Sequence, residues 1–305
     1  MTDTPPLHGI FPYLPSPVDE CGRVDEQGLR HLIEHLIASG VHGLSPLGST
    51  GEVMYLDTAQ REEIVRITVD AAAGRVPVVP GVAAHATAAA AEQARRLADL
   101  GANGVVAIRL DYLPVPHAGV TSFFAGIAAA TDLPVVLYSN PRLGAGLPLE
   151  CLVELARHPT VQYLKDASGD TGHLLSVQNA LGDRIKIFAA SAHIPALVLQ
   201  LGGVGWMAGP ACVAPVAAVL LYRLHTEQRP HEAMQLQRAL WPLNELFAQY
   251  GLAAFVKLAL RDQGFDLGDP VAPQSPCPPE AARAFRRAMR AVDETVARLT
   301  AGTAP

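Results

Sequence analysis

Lysine is almost missing from this chain: there are three, Lys165, Lys186 and Lys257, against twenty arginines. With a net charge of -6 the chain offers no basic surface for nucleic acid. Its four cysteines, Cys21, Cys151, Cys212 and Cys277, are far apart, with no CxxC or Cys/His cluster. That argues against a zinc site or a disulfide framework, and makes a reducing cytoplasm the expected compartment. No apolar run reaches about 18 residues without a Gly, Pro or polar break, so no membrane span is expected. Residues 1–6 carry neither a basic stretch nor an apolar one, so no signal peptide is expected. The Gly-rich stretch Gly48-Ser49-Thr50-Gly51 lacks both GxGxxG spacing and a following Walker lysine, which counts against a dinucleotide-binding open sheet or a P-loop.

What is present is a chain of 305 residues, half of them hydrophobic, with a large core to build. Short β-branched runs begin near Gly9, Val41, Val76, Gly104, Val135, Val161, Ile185 and Val204. Helical patterns lie between them, among others at 26–39, 58–73, 87–100, 122–130 and 149–157. Glycines at 40, 74 and 101 sit where C-terminal helix caps belong. Eight strand–helix units in succession predict parallel strands in a (β/α)8 TIM barrel over residues 1–228. Runs such as Val76-Pro77-Val78-Val79-Pro80 are apolar on both faces, as strands covered by helices should be. Residues 229–305 read as a C-terminal helical extension, with helices at 232–250, 252–263 and 280–299 and a proline-rich joint at 271–279.

Active sites of such barrels lie at the C-terminal ends of the strands. Those ends carry Gly48-Ser49-Thr50-Gly51-Glu52, Asp111-Tyr112, Tyr138-Ser139-Asn140-Pro141, Lys165-Asp166, Ser191 with His193, and Trp206-Met207. A lysine at the end of a buried strand loses its charge more easily, and the neutral amine can form a Schiff base with a carbonyl. It can also snorkel into water. Tyr138 at the end of the neighbouring strand is placed to shuttle protons beside an iminium. Ser49 and Thr50 offer hydroxyls and turn N–H groups to a carboxylate, or serve as a turn and helix cap.

On these residues the chain resembles the dihydrodipicolinate synthase / N-acetylneuraminate lyase family of class I, pyruvate-handling aldolases. The likeness runs from Gly9 to about Leu267. It rests on Gly48-Ser49-Thr50-Gly51-Glu52 and on Tyr138-Ser139-Asn140-Pro141 followed by Tyr163-Leu164-Lys165-Asp166-Ala167-Ser168-Gly169-Asp170. The resemblance implies that Lys165 is the Schiff-base lysine, Tyr138 the proton relay and Ser49 the hydroxyl bonded to it. It places Thr50 at the pyruvate carboxylate, names Gly48 as a substrate-binding candidate beside it, and implies that Tyr112 completes a neighbouring subunit's relay in a homotetramer built as a dimer of dimers. Met207, Asn140 and His193 are further candidates for contact with a small-molecule 2-oxo acid. No metal or organic cofactor is implied, because the iminium itself supplies the electrophile.

The match departs where a second substrate is chosen. The synthase branch has an arginine two residues after the motif proline; here Leu143 stands there and Arg142 falls one residue early. The sialic acid lyases carry acidic residues where this chain has Ala190-Ser191-Ala192-His193, and Asp111 replaces a usual aromatic. The expectation is a lyase of aldolase, synthase or dehydratase type acting on a 2-oxo acid with a polar tail, read by some of Ser139, Asn140, Ser191 and His193. The alternatives are dihydrodipicolinate synthase proper, using pyruvate and aspartate semialdehyde, and a non-catalytic barrel that binds a 2-oxo acid.

Overall fold

The computed structural model describes residues 6–141, 146–191 and 193–301. Its elements run β1 (Gly9–Pro12), α1 (Glu26–Ala38), α2 (Thr58–Ala72), β2 (Gly81–Ala84), α3 (Thr87–Asp99), β3 (Val105–Arg109), α4 (His117–Ala128), β4 (Val135–Ser139), α5 (Leu149–Leu155), β5 (Val161–Asp166), α6 (Thr171–Leu181), β6 (Lys186–Ala189), α7 (Pro195–Gln200), β7 (Gly205–Ala208), α8 (Pro210–Val213) and α9 (Pro215–Thr226). Three further helices follow: α10 (Pro230–Tyr250), α11 (Leu252–Asp262) and α12 (Pro279–Ala301).

The sheet is parallel throughout, in the order β1-β7-β6-β5-β4-β3-β2. Its two edges meet through residues 44–45. Ser45 bridges in parallel to Tyr13 just beyond β1, and Leu44 bridges to Val78 just before β2. Leu44 N donates to Pro77 O at 2.9 Å, Val79 N to Leu44 O at 2.8 Å, and Ser45 N to Pro12 O at 3.1 Å. The architecture is a (β/α)8 barrel whose second strand position is reduced to two bridges. Prolines explain the reduction: Pro46, Pro77 and Pro80 have no N–H to offer a ladder at this point.

The strand residues are buried on both faces, except Gln162 and the partly covered Lys186. This is what helices outside and packed side chains inside require. The expected glycine caps hold: Gly40 follows α1 at φ 83° and donates to Ile37 O at 2.9 Å. α4 starts at His117, five residues before the sequence pattern suggested. In the C-terminal helices α10 packs on α7, α9 and α12, and α11 packs on α8 and α12. Phe255 stands edge-on between Phe247 and Phe285, with centroids 4.9 and 6.1 Å away.

At the base of the barrel β1 and β7 approach so closely that a Cβ on Gly205 would lie 2.1 Å from Gly9 O. Backbone cannot yield there as a flexible side chain would. Gly205→Ala is therefore expected to lower stability by about 1–3 kcal/mol, measured as a reduced urea midpoint. An unchanged midpoint would contradict the close pairing.

Candidate active site

Strand register brings the two central residues together. Tyr138 on β4 and Lys165 on β5 are cross-strand partners. Residues in register on neighbouring parallel strands point to the same side of the sheet. Lys165 Nζ lies 4.1 Å from the Tyr138 ring centroid and 3.9 Å from that of Tyr13, just beyond β1. Gly48 permits the Tyr13 position, since a Cβ there would meet the Tyr13 ring at 2.3 Å.

Lys165 is only 6% exposed, and burial pushes its pKa well below the ordinary 10.5. The two aromatic faces favour the ammonium form, but loss of water is the larger effect. Burial, and next the neighbouring Tyr138, push the Tyr13 phenol upward, so Tyr13 stays neutral. The Tyr138 hydroxyl accepts a hydrogen bond from Asn140 Nδ2 at 2.9 Å.

These groups line a pocket of about 80 Å³ together with Ser49, Thr50, Ala167, Ala190, Ser191 and Leu252. That is far below the roughly 300–1,000 Å³ of pockets for drug-sized ligands. It suits a molecule of a few heavy atoms, with an amine, two tyrosines, an amide and three aliphatic hydroxyls in its wall. Such an arrangement can add an amine to a small carbonyl compound and move protons beside it.

The loop bearing Ser49 and Thr50 is tied down from behind. Ser16 Oγ donates to Gly51 O at 2.5 Å. Glu52, in the left-handed region at φ 57°, sends its carboxylate to the C-terminal helices. Its Oε2 lies 2.7 Å from Lys257 Nζ on α11, and both side chains are essentially inaccessible. Its Oε1 accepts from Val271 N at 2.6 Å and from Gln274 Nε2 at 2.8 Å. Burial lowers the Lys257 pKa, and Glu52 partly offsets the fall. A buried pair of this kind is costly to break from one side, because it strands an uncompensated charge.

Of the candidates named from sequence, Lys165, Tyr138, Ser49, Thr50 and Asn140 meet at the pocket, and Gly48 shapes its floor through Tyr13. Met207 is fully buried in β7 and does not line it. His193 is 2% exposed and bonded to Asp166, away from the pocket lining. Ser139 is likewise buried, its Oγ accepting from Leu147 N at 3.1 Å. Asp111 pairs with Arg109, each side chain 8% exposed. Tyr112 is 91% exposed, beside Leu113 and Val115, and touches no part of its own chain's pocket. Arg142 and Leu143 lie outside the described residues. Sequence reasoning missed Tyr13 and Leu252. Tyr13 was legible as a residue just past the first strand; Leu252 arrives from the C-terminal helices and carries no local signal.

Comparisons with known proteins place the chain in a family and match its fold. A model of the Dihydrodipicolinate synthetase family matches residues 6–292. The 4-hydroxy-tetrahydrodipicolinate synthase of Methanospirillum hungatei JF-1 is 35% identical over 220 residues, 71% of this chain and 75% of that protein. An uncharacterized DapA-like lyase of Halobacterium salinarum is 32% identical over 263 residues, 86% of each chain. The solved structure of the 4-hydroxy-tetrahydrodipicolinate synthase from Methylacidiphilum fumariolicum SolV superposes with a TM-score of 0.91 at 25% identity, covering 97% of this chain and 99% of that one.

Burying an amine has a thermodynamic signature. The unfolded chain holds Lys165 protonated up to its ordinary value of 10.5, whereas the folded chain releases the proton at lower pH. Between the two values the unfolded state binds one more proton, so stability rises with pH across that window. Lys165→Met is accordingly expected to raise the melting temperature at pH 7 by at least about 2 °C, with the gain shrinking as pH rises toward the ordinary lysine value. A variant that melts below wild type at pH 7 would contradict a desolvated Lys165.

Proposed function

The chain belongs to the Dihydrodipicolinate synthetase family and is a lyase; from that premise we propose that it binds pyruvate or a related 2-oxo acid as an imine on Lys165. The observation that carries this reading is the desolvated Lys165 amine set between the Tyr13 and Tyr138 rings at the wall of a small pocket. Neutral Nζ adds to the C2 carbonyl, whose oxygen takes up a proton. Loss of water from the carbinolamine then leaves the imine. Once protonated, the imine draws electrons from C3, so that a bond from C3 to hydrogen or carbon can be broken or made. Tyr138 is the group that gives and takes these protons. Thr50, with the turn N–H groups after Gly48, holds the carboxylate, and Ser49 supports the phenol.

Tyr112 points into solvent with Leu113 and Val115 at 91%, 68% and 38% exposure. We assign this apolar edge to a neighbouring subunit of a homotetramer, where Tyr112 completes the partner's proton relay. A monomer by light scattering at assay concentration would remove that assignment.

Two readings of the second substrate are in play. The names of the relatives favour the synthase reaction with aspartate semialdehyde. The sequence favours a 2-oxo acid with a polar tail, because Leu143 gives the aldehyde's carboxylate no ionic partner. Of the polar residues first considered for that tail, Asn140 and Ser191 face the pocket. A panel of 2-oxo acids and aldehydes, assayed for pyruvate release or uptake, separates the two. Turnover is expected with polar-tailed 2-oxo acids and only weakly with aspartate semialdehyde.

Pyruvate with borohydride is expected to add a reduced adduct to the peptide containing Lys165, and Lys165→Arg to abolish it, since a guanidinium stays protonated. An adduct found only at Lys186 or Lys257 would sink the mechanism. Tyr138→Phe is expected to keep the fold and lower turnover about 10²–10⁴-fold. Near-wild-type turnover under conditions where chemistry limits the rate would show that the proton relay lies elsewhere.

A further inference from the structure

The chemistry above leaves a buried couple unused. His193 Nε2 lies 2.8 Å from Asp166 Oδ1, with side-chain exposures of 1% and 0%. Asp166 follows Lys165 on β5, so the two side chains leave the strand on opposite faces. Lys165 enters the pocket and Asp166 points away from it. The same Oδ1 accepts from Ser168 N at 2.9 Å and from Ser168 Oγ. Burial alone would raise the Asp166 carboxyl, yet His193 and Ser168 hold it below its ordinary value. Its second oxygen, Oδ2, is buried with no partner among the described residues, so Oδ1 carries all of the carboxylate's anchoring there.

The couple ties the last paired residue of β5 to the turn that follows β6. The β5–β6 ladder ends at Asp166 paired with Ala189. Beyond it the chain runs through Ala190 and Ser191, both pocket residues, and turns at His193, whose N donates to Ala190 O at 3.2 Å. On the other side Asp166 lies between Lys165 and Ala167, also pocket residues. One side-chain bond therefore joins the strand end that carries the amine to the turn that closes the far wall.

We infer that His193, acting through Asp166, is a positioning residue for Lys165: it fixes the end of β5 from behind, and with it the direction in which the amine meets the carbonyl. The inference rests on the reading of Lys165 as the imine-forming residue. Addition to a carbonyl requires close approach along a narrow line, and a misplacement of about 1 Å can cost about 10²-fold in rate. The carboxylate end of the substrate is held from the opposite side of the barrel, by the loop of Ser49 and Thr50. Loss of the couple should therefore fall on the rate of imine formation more than on pyruvate affinity.

Rapid-quench borohydride trapping of pyruvate tests this, on wild type, His193→Ala, His193→Gln and Asp166→Asn, with a melting curve for each. His193→Ala is expected to slow imine formation at saturating pyruvate by about 10-fold or more, with a smaller change in KM. His193→Gln keeps an N–H donor at the site and is expected to recover most of the rate, even where its melting temperature stays below that of wild type. Should His193→Ala fail to fold, the comparison of His193→Gln with Asp166→Asn decides. Imine formation at the wild-type rate in every folded variant overturns the inference. So does a slow rate that the glutamine does not restore. If wild type itself gives no adduct at Lys165, the reading of Lys165 fails instead, and the two failures are distinct.

Discussion

The site depends on one unfavourable act, the removal of a lysine amine from water. Lys165 has aromatic faces on two sides and is almost wholly buried, and burial accounts for its lowered pKa. The barrel imposes this. Register between β4 and β5 sets Tyr138 opposite Lys165, and closure of the sheet through Ser45 brings Tyr13 to the other side. Packing that excludes water from the amine also favours its neutral form, the form that can act as a nucleophile. The stability lost by burying it is offset by the large apolar core around it.

The second constraint runs between distant parts of the chain. Glu52 leaves the loop that lines the pocket and reaches Lys257, Val271 and Gln274 in the C-terminal region. Leu252, at the start of α11, supplies part of the pocket wall. The C-terminal helices thus do more than cover the barrel: they set the position of the Ser49–Thr50 loop and complete the enclosure. Two of the three lysines take part in the site's construction, one as the amine and one as the buried counter-ion of that loop.

Much of this was legible in the sequence, for stated reasons. Parallel strands put functional groups at their C-terminal ends, so Lys165, Tyr138, Ser49, Thr50 and Asn140 could be found by locating those ends. The second strand was read as an ordinary one beginning near Val41, but prolines on both sides of the closure left only two bridges. His193 and Met207 also sit at strand ends, yet face away from the pocket or are packed inside the sheet. A strand end announces a position, and only register and alternation decide which way the side chain points. Leu252 and the Glu52–Lys257 pair were invisible because sequence carries little trace of contacts between residues some two hundred positions apart.

The scarcity of lysine makes the central claim directly measurable. Labelled at the ε-carbon, the chain gives three lysine signals by NMR, which Lys165→Arg and Lys186→Arg assign. The account predicts that the Lys165 signal titrates well below 10.5 and moves to an imine position when pyruvate is added. A Lys165 signal that titrates at the ordinary lysine value and is unmoved by pyruvate would contradict it.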